Sequence, residues 1–142
     1  MGDSLLECKP VRLAYKVPIG RIEKFWSGLK EGRVYATKCR RCGEIHFPPV
    51  ADCPNCYASN VEWVELNGEA EVETFTHVII RPGDFLGYEP YTITIAKLKE
   101  GVKVLAWLIG VEFSDVKVGM KVKLVTWKGA DGSLSYAFIP MR

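Results

Sequence analysis

Residues 39–56 read CRRCGEIHFPPVADCPNC and contain four of the five cysteines in this chain of 142 residues. Their spacing is C-x2-C-x10-C-x2-C, so two Cys-x-x-Cys pairs lie at the two ends of a short loop. Each pair favours a tight turn, here called a knuckle, that directs two sulfur atoms toward one point, and four sulfurs at about 2.3 Å satisfy a tetrahedral ion. The pattern predicts that Cys39, Cys42, Cys53 and Cys56 bind one metal ion.

Four thiolates leave no open position on a tetrahedral ion, so we expect the metal to be structural and not hydrolytic. Zinc is the first choice, although knuckles of this kind also hold iron and the sequence does not separate the two. Chance clustering and redox dithiols are the competing interpretations. Cys8 lies outside the pattern, and we expect a free thiol there.

Composition is that of a globular protein. Hydrophobic residues make up 48% of the chain, enough for one ordinary core or for a small stapled module beside a modest core. No stretch approaches the roughly 20 apolar residues that cross a bilayer, and the opening residues, MGDSLLECKP, lack the order of a secretory signal. We therefore expect a soluble, cytoplasmic protein that does not associate with a membrane. Its thiols should stay reduced, which favours metal ligation over disulfides.

The formal net charge is only +2, and it is carried by one half of the chain. Residues 1–66 carry ten basic and eight acidic side chains, whereas residues 67–142 carry nine of each. The C-terminal half therefore has no net positive field to attract a polyanion. This balance disfavours a nucleic-acid-binding function.

A helix is predicted near the N-terminus, after an arm without clear periodicity. Ile22, Phe25, Trp26 and Leu29 follow the i, i+3, i+4, i+7 pattern of one helix face, and Gly32 supplies a stop. The face either packs on the protein's own core or serves as a docking helix for another protein. We assign residues 1–32 to the arm and helix, 33–66 to the cysteine module and 67–142 to a third unit.

Alternating residues predict a β-rich chain beyond the cysteines. Five strands are expected, separated by glycine-rich turns: Glu69 to Ile80, Tyr91 to Leu98, Lys103 to Gly110, Met120 to Trp127 and Leu134 to Pro140. Their number and spacing suggest a closed or partly closed barrel of the OB type, with a Greek-key sandwich as the alternative. The longest loop, Arg81 to Pro90, is where we first expect binding contacts.

Candidate catalytic groups are few. His46 lies in the metal loop and is expected to bond a loop carbonyl, and His77 is expected to be a wall residue of the barrel. Glu69, Glu71 and Glu73 alternate as on the solvated face of a strand. No nucleophile elbow, phosphate-binding glycine loop or paired-carboxylate motif is found. The sequence therefore favours binding or scaffolding over catalysis.

The order of these motifs closely resembles a known family. The helix with Phe25-Trp26-x-x-Leu29 precedes the cysteine segment, LNGEAEVETFTHV, a Pro90-Tyr91 strand entry and Val118-Gly119-Met120-Lys121-Val122. From Ile19 to Pro140 the chain resembles the rubredoxin-like zinc-ribbon plus OB-fold proteins associated with acyl-CoA metabolism, long catalogued as a domain of unknown function. One departure is Tyr57 after Cys56, where rubredoxin knuckles usually have a small residue.

The resemblance implies a non-catalytic partner of thiolase-like enzymes. Such proteins in archaea look like the subunit that holds an acetyl-CoA acetyltransferase beside hydroxymethylglutaryl-CoA synthase, at the entrance to the mevalonate route. The resemblance also implies that the four cysteines are metal ligands, that the helix and arm contact the partner enzyme, and that acyl-CoA is a ligand. A single-stranded nucleic-acid-binding module and a stand-alone thioester enzyme using His46 or His77 are the alternatives.

Coenzyme A requires cations for its phosphates and an apolar or aromatic wall for its adenine or pantetheine arm. The resemblance gives no residue-level assignment, so these candidates are chosen by chemistry alone. Arg33, Lys38, Arg40, Arg41 and Arg81 are the candidate cations, and Phe47, Phe85 and Tyr88 are the candidate wall. The four cations nearest the cysteines have a second interpretation, which is to offset the negative charge of a zinc–thiolate centre.

Overall fold

Alternation of apolar and polar residues produces a chain that is mostly β-strand in the computed structural model, which describes residues 13–142. One helix precedes the strands: α1, Glu23–Lys30, entered through a short 3-10 turn, Gly20–Ile22. The strands are β1 Tyr35–Cys39, β2 Ile45–His46, β3 Val61–Glu65, β4 Glu69–Val78, β5 Tyr91–Leu98, β6 Lys103–Leu108, β7 Lys121–Lys128 and β8 Leu134–Pro140. Cys8 and the first part of the predicted arm lie outside the described residues.

The predicted helix face packs on the protein's own core. Phe25 and Leu29 are buried, and the Phe25 ring meets the rings of Phe47 and Tyr136 edge to face at centroid distances of 6.0 and 6.2 Å. Trp26, on the same helix, stays 40% exposed. Gly32 ends the helix as predicted, because its positive φ of 79° allows the reversal in which the Arg33 N–H donates to the carbonyl of Gly28.

The cysteine module is a three-stranded antiparallel sheet in the order β2-β1-β3. Strand β3 was not predicted from the sequence, although VEWVE alternates. It pairs with β1 along its whole length, from Tyr35 opposite Glu65 to Cys39 opposite Val61. The first cysteine pair therefore lies at the end of this sheet, and the second lies in the connection between β2 and β3.

The five C-terminal strands form the closed barrel that the sequence predicts. Their order is β4-β5-β6-β8-β7, with β7 pairing β4 to close the ring and with β6 and β8 parallel. This connectivity is that of the OB fold, so the sandwich alternative is wrong. The predicted bounds err by one or two residues, since β4 ends at Val78 and β6 at Leu108. No helix among the described residues is long and apolar enough to cross a membrane.

A close backbone contact joins the two modules. Leu66 donates its N–H to the carbonyl of Val34 in the cysteine module, and the Leu124 N–H of β7 donates to the carbonyl of Gly68 at 2.7 Å. Gly68 has a φ of 88°, and a Cβ there would lie 2.5 Å from the carbonyl oxygen of Leu124. Only glycine fits where the chain passes from the sheet into the barrel.

The acidic residues of β4 are paired across the barrel surface, as expected for a solvated face. The partners are lysines of neighbouring elements: Glu69 with Lys99, Glu71 with Lys121, and Glu73 with Lys103. Exposed pairs of this kind contribute little stability each. They mark this side of the barrel as a charged, water-facing surface.

Candidate metal centre and aromatic cleft

The two cysteine knuckles have the same backbone hydrogen bonds. Cys39 donates its N–H to the carbonyl of Glu44, and Cys53 donates to Ala58, five residues ahead in each case. The return bonds also match, since the N–H of Gly43 donates to Cys39 and the N–H of Tyr57 to Cys53, both at 2.9 Å. Two unrelated stretches of sequence thus form one type of turn.

Each knuckle turns through a residue in the left-handed region. Gly43 has a φ of 78° and Tyr57 a φ of 57°. Glycine adopts this conformation freely, whereas a side chain there costs about 1–2 kcal/mol. Tyr57 therefore fits the turn despite being a departure from the usual small residue, and its side chain is 86% exposed.

The four sulfur atoms converge in a way that suits one tetrahedral ion. The Sγ atoms of Cys39 and Cys56 are 3.5 Å apart, those of Cys42 and Cys53 are 3.6 Å apart, and all four lie within 4.8 Å of one another. A tetrahedron of ligands at about 2.3 Å has edges of about 3.8 Å. The residues present therefore fit zinc or iron in a structural role.

The electrostatics of the cluster also favour a cation. The backbone N–H of Cys42 lowers the pKa of Cys39 to about 6, against the effect of burial. The pKa of Cys56 is raised to about 11, because burial and the neighbouring thiols outweigh the N–H of Ala58 that lowers it. Cys56 therefore holds its proton more tightly than Cys39 does, and a bound dication would favour the thiolate form of both.

His46 lies against the cluster. Its Nε2 atom is 3.4 Å from the Sγ of Cys53, a partner that sequence reasoning missed when it assigned the ring to a loop carbonyl. An imidazole N–H directed at a thiolate stabilises the charged sulfur. The contact could have been anticipated only from the hairpin that places β2 beside the second knuckle.

Two of the four candidate cations of the cysteine module are paired with glutamates of β3. Arg40 lies 3.3 Å from Glu62, and Arg33 lies 3.9 Å from Glu65. Lys38 is half-buried on β1, and Arg41 is exposed at the tip of the first knuckle. The cavities described do not unite these four with the candidates from the long loop, and Arg33 lines a separate cleft of about 350 Å³.

Phe85 and Tyr88, both in the long loop, do come together. They line a cleft of about 430 Å³ on the barrel with Trp107 of β6, Trp127 of β7 and residues of the β7–β8 turn. Tyr136 forms another part of the wall, and the Phe47 ring lies 4.9 Å from it. All three predicted wall residues therefore lie in or next to one aromatic cleft.

Sequence reasoning missed the centre of this aromatic cluster. Trp107 stacks on Tyr91 at a centroid distance of 4.2 Å with 14° between the planes, and it lies 5.4 Å from Trp127. The three residues were assigned only to strands. Their outward positions on β5, β6 and β7 were the available signal, but the strand order and register were needed to bring them together.

Polar contacts fix the loop over the barrel. The Arg81 guanidinium donates to the carbonyl of Tyr88 across the loop. At the β7–β8 turn, Asp131 accepts hydrogen bonds from the N–H and hydroxyl of Ser133 at 2.9 and 2.6 Å. These bonds, led by the Ser133 hydroxyl and assisted by the Tyr88 hydroxyl, hold the pKa of the Asp131 carboxyl below its usual value. Asp131 therefore carries a fixed negative charge at the cleft.

His77 forms part of the barrel wall, as the sequence suggests. Its Nδ1 atom lies 3.1 Å from the Thr92 hydroxyl, and its ring stacks on Phe113 at 4.3 Å. It borders a second cleft of about 610 Å³, next to the aromatic one, that is also lined by Glu89 and Glu112. One ring face and the Nδ1 atom of His77 are therefore occupied by structural contacts.

Two family models match the chain. The model described as the rubredoxin-like zinc ribbon domain of ChsH2 matches residues 26–62, and the model described as the C-terminal OB-fold domain of ChsH2 matches residues 63–128. A DUF35 domain-containing scaffold protein of Pyrococcus furiosus is 34% identical over 123 residues, which cover 83% of this chain and 90% of that protein. These matches span both modules.

Two further relatives carry enzyme names. A probable enoyl-CoA hydratase alpha subunit of Thermomonospora curvata is 28% identical over 91% of this chain and 40% of its own length. The benzoylsuccinyl-CoA thiolase subunit BbsA of Thauera aromatica is 29% identical over 51% of this chain and 49% of its own length. Among solved structures, one called Ltp2-ChsH2(DUF35) aldolase shares the fold, with a TM-score of 0.72, 23% identity, and coverage of 91% of this chain and 98% of that one.

Proposed function

The chain belongs to the DUF35 family of rubredoxin-like zinc-ribbon plus OB-fold proteins, and from this premise we propose that it is a non-catalytic accessory subunit of an acyl-CoA enzyme of the thiolase superfamily. The observation that carries the proposal is the similarity to a scaffold protein along 90% of that protein's length. The name of the thiolase subunit BbsA adds support for the class of partner. More specifically, we propose that the partners are acetyl-CoA acetyltransferase and hydroxymethylglutaryl-CoA synthase. This pair would place the chain in the mevalonate pathway.

The chemistry of the described residues supports an accessory role. His46 contacts a cysteine sulfur, and His77 is held between a hydroxyl and an aromatic ring. The four cysteines of the knuckles point at one another. A catalytic site needs an acid, base or nucleophile directed at a substrate, and the described contacts of His46, of the cysteines and of the Nδ1 atom of His77 are with the protein itself.

A structural metal is part of the proposal. Cys39, Cys42, Cys53 and Cys56 would hold zinc, with iron as the other candidate, and His46 would orient Cys53. The closed set of four sulfurs supports a role in folding and not in turnover. The ion would fix the two knuckles and, through them, the loop that carries Phe47 toward the barrel.

A contribution to the acyl-CoA site is the least direct part of the proposal. Phe47, Phe85 and Tyr88 would border the neutral pantetheine or acyl arm, with Arg81 holding the loop in place. The phosphates would need the cations of the cysteine module, which are Arg33, Lys38, Arg40 and Arg41. The aromatic cleft suits only the neutral arm, since its lining includes Asp131 and, among the described residues, no lysine or arginine.

The same lining argues against the single-stranded nucleic-acid alternative. OB folds bind oligonucleotides through the face of their second and third strands, using cations to hold the backbone and aromatics to stack the bases. Here that region has the aromatics, but the charged residues lining the two clefts are acidic: Glu89, Glu112 and Asp131. A phosphate backbone would be repelled.

Co-purification tests the proposal. The affinity-tagged chain, expressed in the organism that encodes it, should recover a thiolase-superfamily enzyme identified by mass spectrometry, at a stoichiometric level and after a high-salt wash. Elution as a monomer without any acyl-CoA enzyme would refute it. In parallel, the purified chain should show no turnover of acetyl-CoA or acetoacetyl-CoA above buffer, and turnover abolished by His77→Ala would establish a stand-alone enzyme instead.

A further inference from the structure

The outer surface of β5 and β6 is apolar where a surface strand is usually polar. Inward positions of these strands, such as Thr94 and Val104, are buried in the barrel. Their outward neighbours pair across the strands, Ile93 opposite Trp107 and Ile95 opposite Leu105. Leu105 is 61% exposed. Outward residues of a half-solvated antiparallel sheet are expected to be polar, so this surface lacks its usual composition.

Another part of the same barrel surface supplies an internal comparison. Outward positions in the first half of β4 and at the start of β7 are charged, and Glu71 and Glu73 form ion pairs with Lys121 and Lys103. One barrel therefore has a charged side built for water and an apolar side that is not. The long loop extends the apolar side, because Phe85, 38% exposed, lies 6.0 Å from the Trp107 ring. We call this surface the β5–β6 face, and it consists of Phe85, Ile93, Ile95, Leu105 and Trp107.

Acidic groups border the Trp107 end of the β5–β6 face, whereas Lys97 and Lys103 lie opposite one another at its other end, next to Ile95 and Leu105. The clefts next to it are lined by Glu89, Glu112 and Asp131, with no lysine or arginine among their described lining residues. The hydrogen bonds from Ser133 keep the pKa of Asp131 low, so its charge is present at neutral pH. An occupant of this face must be apolar at its centre and neutral or basic where it meets the Trp107 end.

We infer that the β5–β6 face is the surface on which the acyl-CoA enzyme docks, through an apolar segment flanked by lysine or arginine. This inference rests on the proposed function and names the site of that contact. An enzyme that binds coenzyme A has to present cations to hold the phosphates, and such cations complement the acidic border. The aromatic cleft at the edge of the face would then lie beside the thioester arm held by the enzyme.

Binding of a thiolase-superfamily enzyme from the same organism to single-site variants tests the inference. Leu105→Glu places a charge at the centre of the face on an exposed position, and Val118→Glu is its matched control, since Val118 is 67% exposed in the loop before β7. By isothermal titration, Leu105→Glu should weaken binding by about tenfold or more, as at an interface centre, and Val118→Glu should leave it unchanged. Leu105→Thr, which suits a strand, should also weaken binding if the glutamate variant proves unstable by circular dichroism.

The border is tested by charge reversal. Glu89→Lys with Glu112→Lys should slow association severalfold at low salt, with an effect that fades as salt is added. Equal binding by wild type and both Leu105 variants would overturn the inference while the proposed function stands. Failure of the wild type to bind any such enzyme would overturn the proposed function itself. Tight binding of single-stranded DNA that is lost in Leu105→Glu would assign the face to nucleic acid and overturn both.

Discussion

Replacing Phe25 with alanine tests whether α1 belongs to the core. The side chain is only 4% exposed, and its ring packs against Phe47 of the cysteine module and Tyr136 of β8. A buried Phe→Ala change costs about 3–5 kcal/mol, and we expect about 3 kcal/mol because a helix on the surface of the barrel can relax toward the cavity. At about 3–4 °C per kcal/mol for a chain of this size, Tm should fall by about 10 °C.

Thermal unfolding of the metal-loaded protein, followed by circular dichroism, measures the effect. Trp26→Ala is the matched comparison on the same helix, because a side chain that is 40% exposed leaves no closed cavity. We expect a loss of about 1 kcal/mol there, or about 3–4 °C. A change of less than about 2 °C for Phe25→Ala would refute the packing argument. The docking-helix interpretation would then account better for the apolar face.

Three further changes probe the metal, the junction and the second knuckle. Cys53→Ser should lose its metal on dialysis against a chelator, measured by elemental analysis, whereas Cys8→Ser should retain one ion per chain, and retention by both would contradict the ligand set. Gly68→Ala should cost more than about 2 kcal/mol in urea unfolding, because its Cβ would meet the Leu124 carbonyl at 2.5 Å with φ at 88°. Tyr57→Gly should stabilise the protein by about 0.5–1 kcal/mol, since relief of left-handed strain exceeds the entropy cost of glycine; destabilisation would mean that the Tyr57 ring makes a stabilising contact.

Local patterns in the sequence were enough to predict the barrel and the metal cluster. The strands carry their own alternation, and glycines at positive φ, such as Gly101 and Gly119, separate them. The knuckles are equally local, because each is formed within a few residues of its cysteines. Where one short segment determines its own local structure, the sequence of that segment is sufficient to predict it.

Contacts between distant segments were missed, and one omission led to another. Strand β3 was not predicted although VEWVE alternates, and its pairing with β1, more than twenty residues earlier, was missed with it. Without β3, Glu62 and Glu65 could not be recognised as neighbours of Arg40 and Arg33, so the sequence offers those arginines only a phosphate or the zinc–thiolate centre as a partner. The aromatic cleft was not predicted for the same reason, since only the register of β5, β6 and β7 shows that their outward rings meet.

The geometry gives a physical reason why the proposed accessory role would suit this protein. The four cysteines hold the loop that presents Phe47, and Phe47 packs on Tyr136, which is also a wall of the aromatic cleft. Phe25 packs against the same two rings and so holds α1 against both the cysteine module and the barrel. A continuous line of rigid contacts therefore runs from the metal site to the apolar side of the barrel. Because that surface is held in place before any partner arrives, an enzyme docking there loses little entropy in ordering it, which is the physical advantage of a rigid accessory subunit.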